Sequence, residues 1–156
     1  MKLAEALSLR ATAARRIEQL RTRIVNNARY QEGEDPAEDA SALLTEVGEV
    51  LDEFETLIRR INRTNAATTI DADGTLTDAL ARRDALRHRH YVVTVAADAA
   101  AGTNQPGYSR QLRSELKMVS ALPVAELRAQ ADVLARELRQ LDVRIQRSNW
   151  EVELLD

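Results

Sequence analysis

The stretch Ile70-Asp71-Ala72-Asp73-Gly74-Thr75 sets two aspartates one residue apart, ahead of a Gly and a Thr. In a phosphatase nucleophile loop, the first aspartate of such a pair attacks phosphorus and the second serves as general acid and base. That chemistry requires a buried strand leading into the loop, a parallel sheet with alternating helices, a downstream lysine and a further acidic pair for Mg²⁺. Ahead of Asp71 the chain offers only "RTNAATTI", with one large apolar residue. Beyond it come roughly eighty mostly helix-patterned residues, a single lysine, Lys117, and no adjacent acidic pair. The stretch is therefore read as a tight turn, with a metal-dependent phosphohydrolase built on Asp71 and Asp73 as an alternative. A calcium loop fits no better, because Asp71, Asp73 and Asp78 lack the regular ligand ladder and its terminal bidentate glutamate.

Other constellations are weaker. Glu46, Glu49 and Glu53 share one face of a helix and supply the alternative metal face of such a hydrolase, but no second acidic element answers them, so a solvated or salt-bridging face is expected. The histidines His88 and His90 stand two apart, which points them in divergent directions on a helix. His90 falls in line with Leu86, Val93 and Ala97, as a buried, hydrogen-bonded histidine would. Nothing suggests a Ser/His/Asp triad or a phosphate-cradling glycine loop, so no metal, cofactor or catalytic residue is assigned, and the protein is read as non-enzymatic.

The densest specific hydrogen-bonding groups lie in "RINRTN", residues 60 to 65. Asn62, Arg63 and Asn65, with Arg113, Gln146 and Asn149, are the candidate binding residues for a ligand of unspecified chemistry. Asn65 prolongs an apolar seam by one step, where it can cap a helix end or fix register. The sole tryptophan, Trp150, points away from the main seam of the last helix, in register with Val143 and Leu154. A second apolar stripe needs a second partner, so Val143, Trp150 and Leu154 form a candidate oligomer interface.

Four long helices must position these groups. The first, about 2 to 29, aligns Leu3, Ala6, Ala13, Ile17, Leu20 and Ile24, interrupted once by Arg10. The second, about 36 to 65, has Asp35, Pro36 and Glu38 in N-cap, first-turn and N3 positions, and a seam of Leu44, Val47, Leu51, Phe54, Ile58 and Ile61 widened by Leu43, Val50 and Leu57. At about 1.5 Å per residue it would be ~45 Å long. Residues 66 to 77 read as a short polar hairpin-like loop, and Thr77 as the cap of a third helix ending at Gly102. "TNQPGYS" is a second loop, and residues 109 to 121 stay open between short helix and irregular chain. Pro123 opens the last helix, about 123 to 154, on a seam from Leu127 through Leu141 to Val152.

Composition agrees with an all-α bundle in one domain, 1 to 156. There are only five Gly, three Pro and five aromatic residues, and the chain is too short for two independent cores. Zero cysteines exclude disulfides and thiolate chemistry. No run nears the roughly 20 apolar residues that cross a bilayer, and the N-terminal segment continues a helical pattern instead of forming a signal peptide, so a cytoplasmic location is expected. A net charge of −3 provides no field for nucleic acid. Charge is nevertheless segregated: residues 1 to 30 carry seven basic and two acidic groups, whereas residues 31 to 58 carry ten acidic groups and no basic one.

In order along the chain, "MKLAEAL", "RINRTN", "TLTDALARRDAL", "RSELKMVS" and "RIQRSNWEVEL" resemble the septicolysin-like family of small bacterial proteins. The resemblance spans almost the whole chain. It implies an all-helical fold with a polar hairpin between the second and third helices, and homo-oligomers, in a family whose members mostly lack an assigned activity. The family's name implies a cytolysin, which makes pore formation a further alternative.

Overall fold

Apolar residues at three- and four-residue steps give four α-helices among the described residues, α1 (Leu3–Asn27), α2 (Ala40–Ala67), α3 (Leu76–Ala100) and α4 (Val124–Glu151). The computed structural model describes residues 1–103 and 116–156. The region between α3 and α4 that the sequence leaves open falls largely outside the described residues, and 116–122 are not helical. No strand occurs among the described residues, so the architecture is all-α, and the parallel sheet a phosphatase loop requires is missing there.

α1 packs along α2 and α3 along α4, each pair antiparallel. The two pairs meet at one end, where the start of α1, the end of α2, the start of α3 and the end of α4 come together. Leu3, Leu57, Ile61, Leu76, Leu141 and Ile145 form one buried cluster there with Ile70 of the connecting loop and Leu154 beyond α4. Each such Leu or Ile contributes about 1.5–3 kcal/mol on leaving water. Away from this end the buried positions are pairwise and smaller in number: Ala13, Leu20 and Leu43 in the first pair, Ala97 and Ala131 in the second.

Several boundaries differ from the periodic reading. α2 begins at Ala40 with Asp39 as its cap, its carboxylate accepting from the Ser41 and Ala42 N–H groups at 2.8 and 3.3 Å. Asp35 and Pro36 lie in the preceding loop because Glu38 is held elsewhere. It accepts from Arg23 Nε at 3.1 and 3.0 Å, and its N–H donates to Asn27 Oδ1 at 3.0 Å. The covered line of α2 is Leu43, Leu57, Ile61 and Thr64, one residue behind the seam centred on Leu44. Leu44 is 58% exposed, and Leu51 is exposed as well. The cap of α3 is Thr75 and not Thr77, because Asp78 reaches back to complete a reciprocal capping box. At the far end of α3, Gly102 adopts φ +75° while the Gly102 and Thr103 N–H groups donate to the carbonyls of Ala99 and Asp98 at 3.1 Å each. That left-handed closure stops the helix.

Candidate functional site

The Asp71 loop is built as a turn. Thr69 and Thr75 form an isolated antiparallel bridge, with the Ile70 N–H donating to the Gly74 carbonyl and the Leu76 N–H to the Thr68 carbonyl, both at 2.7 Å. Asp71–Asp73 makes one 3₁₀ turn between them, and Asp71 itself takes φ +36°. Gly74 sits at φ +82°, and a Cβ there would come within 2.7 Å of Asp78 Oδ2. That carboxylate is not free to move away: it accepts from the Thr75 N–H at 2.8 Å and the Thr75 hydroxyl at 2.7 Å. These bonds, the hydroxyl first, hold the Asp78 carboxyl below the usual carboxylate range. Ile70 and Leu76, either side of the turn, are both buried in the shared core. The loop thus anchors α2 to α3, and its glycine is needed for the cap rather than for phosphate.

The "RINRTN" cluster also has a structural partner. Beyond α4 the chain crosses the start of α1, with the Leu3 N–H donating to the Val152 carbonyl and the Leu154 N–H to the Met1 carbonyl at 2.9 and 2.8 Å. Lys2 Nζ pairs with Glu153 at 2.7 Å, which holds that carboxyl below its usual range. The segment then reaches the end of α2. Thr64 Oγ1 accepts from the Leu155 N–H at 3.0 Å and donates to the Arg60 carbonyl at 2.8 Å, while Arg60 Nε donates to the Leu155 carbonyl at 2.9 Å. Arg63 donates to the Asp156 carbonyl at 3.1 Å. A shallow depression of about 260 Å³ lies here, lined by Thr56, Arg59, Arg60, Arg63 and Asp156.

The candidate binding residues that lie among the described residues therefore do not share one lining. Arg63 lines this depression, whereas Asn62 is exposed and Asn65 half-buried on other faces of α2. On α4, Gln146 is exposed and Asn149 buried. Arg113 lies outside the described residues. The residues that do hold the tail, Arg60 and Thr64, were missed individually, although they stand four apart in that hexapeptide on the face that carries Leu57 and Ile61.

The acidic face is engaged at one of its three positions. Glu46 forms a partly buried ion pair with Arg16 of α1, whereas Glu49 and Glu53 are exposed. His88 is exposed, and His90 is half-buried in line with buried Leu86 and Ala97. Among the described residues no group of three or more His, Asp or Glu side chains could hold a metal ion.

What stands out chemically is an outer face. α4 turns Ala131, Leu141, Ile145 and Asn149 inward, and Val143 and Trp150 on its opposite side are 68% and 65% exposed. Arg139, Gln140, Val143 and Arg144 line an open groove of about 490 Å³ on that side. Leu154 does not continue this stripe. α4 ends at Glu151, the chain turns extended at Val152, and Leu154 enters the shared core at 8% exposure. No helix is long and apolar enough to cross a membrane among the described residues.

A comparison with curated proteins returns no match. One solved structure, described as that of a functionally unknown conserved protein from Corynebacterium diphtheriae, is similar throughout, at 42% identity over 99% of each chain and a TM-score of 0.90. Residues 10–154 match the model of a family of unknown function, DUF6847. These findings overturn the septicolysin-like resemblance, since neither points to that family, and pore formation, which rested on its name alone, loses its support. With nearly its whole length matched, the chain belongs to DUF6847, a family of unknown function.

Proposed function

We propose that the protein is a non-enzymatic, homo-oligomeric helical-bundle protein, a single domain that works through its apolar outer faces and not through a catalytic centre. The observation that carries this reading is the exposure of Val143 and Trp150 on the side of α4 turned away from the core. A large aromatic beside an aliphatic residue, rimmed by Arg139, Arg144 and Arg147, has the composition of an interface core with a charged edge. The reading includes a cytoplasmic location, with the absence of cysteine suited to a reducing compartment, and it includes neither a nucleic-acid partner nor a cofactor.

Trp150 is the only tryptophan, so its fluorescence reports on this face alone. On dilution from micromolar to nanomolar protein, its emission should shift to the red as copies separate. Emission typical of a fully hydrated indole at every concentration, unchanged by dilution, would count against the proposal.

A further inference from the structure

α3 carries a second outward line that the core does not use. Ala81, Ala85, His88, Val92, Val95 and Ala99 recur at alternating four- and three-residue steps, and all six are exposed, Val92 at 63%. The buried residues Ala79, Leu86 and Ala97 occupy the other side of the helix. Alternating steps of three and four place side chains along one seam, the pattern by which one helix meets another of its kind. Small residues and valines let the two axes approach closely.

The flanking residues decide which helix and which direction. In this register one rim is Asp84, Tyr91 and Asp98, and the other is Arg82, Arg89 and Ala96. If two copies of α3 run parallel, each residue of the first rim faces the residue five places further on in the second copy. Asp84 then meets Arg89 of the second copy, and Tyr91 lies over its Ala96. If the two run antiparallel, like rims meet, so that Asp84 faces Asp98 of the second copy and the two Arg89 side chains face each other. Only the parallel arrangement joins opposite charges, and like-charge contacts select strongly against the other. Within its own chain Asp84 holds Arg83 at 3.3 Å and Arg87 at 3.7 Å, and it remains exposed, so a further guanidinium would extend an existing network.

We propose that α3 pairs in parallel with α3 of a second copy across a twofold axis, through the Ala81–Ala99 seam and reciprocal Asp84–Arg89 contacts. The proposal rests on the reading that the protein self-associates, and assigns that association a second face, an orientation and a register.

The absence of cysteine makes a clean test possible. Ala85→Cys and Ala99→Cys are introduced separately into the full chain and mildly oxidised, with Ser8→Cys, exposed on α1, as control. Parallel pairing brings each seam cysteine beside its own copy, within the Cα separation of about 4.4–6.8 Å that a disulfide spans, so both seam variants should run as covalent dimers and the control should not. Asp84→Arg should weaken the dimer at least about tenfold, and Arg89→Asp in the same chain should restore it. An oligomer in which neither seam variant cross-links to itself overturns the α3 pairing while leaving self-association standing. An Asp84→Arg dimer tighter than wild type indicates the antiparallel arrangement and overturns it likewise. A wild-type chain that is monomeric throughout overturns both readings.

Discussion

The α1–α2 and α3–α4 pairs each join a 25-residue helix to a 28-residue one, yet their charges are laid out in opposite ways. In the first pair the signs are largely segregated, basic along α1 and acidic along α2 up to Glu55, and ion pairs cross between the helices at Arg16–Glu46, with Arg23–Glu38 joining α1 to the loop before α2. In the second pair both helices mix signs, with contacts such as Arg128–Asp98 at 2.6 Å and Arg87–Asp142 at 3.7 Å. Segregated charge tells two helices of one chain which partner to take, but it also makes the outer surface of α2 acidic. Two copies meeting around exposed Leu44 and Leu51 would bring Asp52 and Glu55 face to face with their own kind. The mixed pair exposes Val92, Val143 and Trp150, and the seam on α3 is flanked by both signs of charge. On our proposal, self-association falls to the second pair and internal fit to the first.

The largest effect should come from the region the pairs share. Leu141→Ala empties a fully buried site among residues from all four helices and should cost about 3 kcal/mol, within the usual range for such truncations. Denaturant unfolding should show both pairs lost in one transition, while separate transitions would mean that the pairs are stable independently. Gly74→Ala comes next, at about 1–2 kcal/mol, since it combines a positive φ with a collision against the locked Asp78 carboxylate. An unchanged melting temperature would show that the cap yields easily. Thr75→Ala, which removes the cap of α3, should cost about 1 kcal/mol by the same measurement.

Acid should act on both pairs. Asp78 is held below the ordinary carboxylate range by Thr75, Glu38 by Arg23, and Glu153 by Lys2. Their folded values lie under the unfolded ones, so the stability they add is complete above about pH 5 and is lost as pH falls through the folded values. Melting temperature should change little between pH 7 and 5 on this account and drop below about pH 4; a rise on acidification would contradict it. The smallest effect should be that of Arg23→Ala. It breaks a surface pair of the first helical pair only, and its cost should shrink further at about 1 M salt, where screening acts within roughly 3 Å.

Much of the fold was legible because the helices are long and strongly periodic. Their ends were less so, because the chain offers competing caps. Asp35 and Asp39 compete to start α2, and the choice falls to a contact that local pattern does not contain, Arg23 on Glu38, whereas Thr75 prevails over Thr77 at α3 through its capping box with Asp78. The adjacent leucines 43 and 44 likewise allow two seams one residue apart, and the one read from the sequence, on Leu44, is not the one buried, on Leu43. Leu154 was misread because α4 stops three residues earlier, when the tail turns to pair with Lys2 and Leu3. The tail's anchorage on Arg60 and Thr64 joins positions more than ninety residues apart, which no spacing rule conveys. The aspartate pair of the 70–75 loop matches a chemical motif as a string, but its surroundings already pointed to a tight turn, and its glycine and following threonine serve a helix cap. The exposed aliphatic and aromatic side chains of α4, by contrast, were visible from register alone at Val143 and Trp150.

The central claim is that surplus apolar surface on the second pair is covered by another copy. Light scattering coupled to size-exclusion chromatography tests it most directly, on the wild-type chain at micromolar concentration. The account predicts a mass that is a multiple of the 17.4 kDa protomer. A single species of 17.4 kDa at every concentration would contradict it.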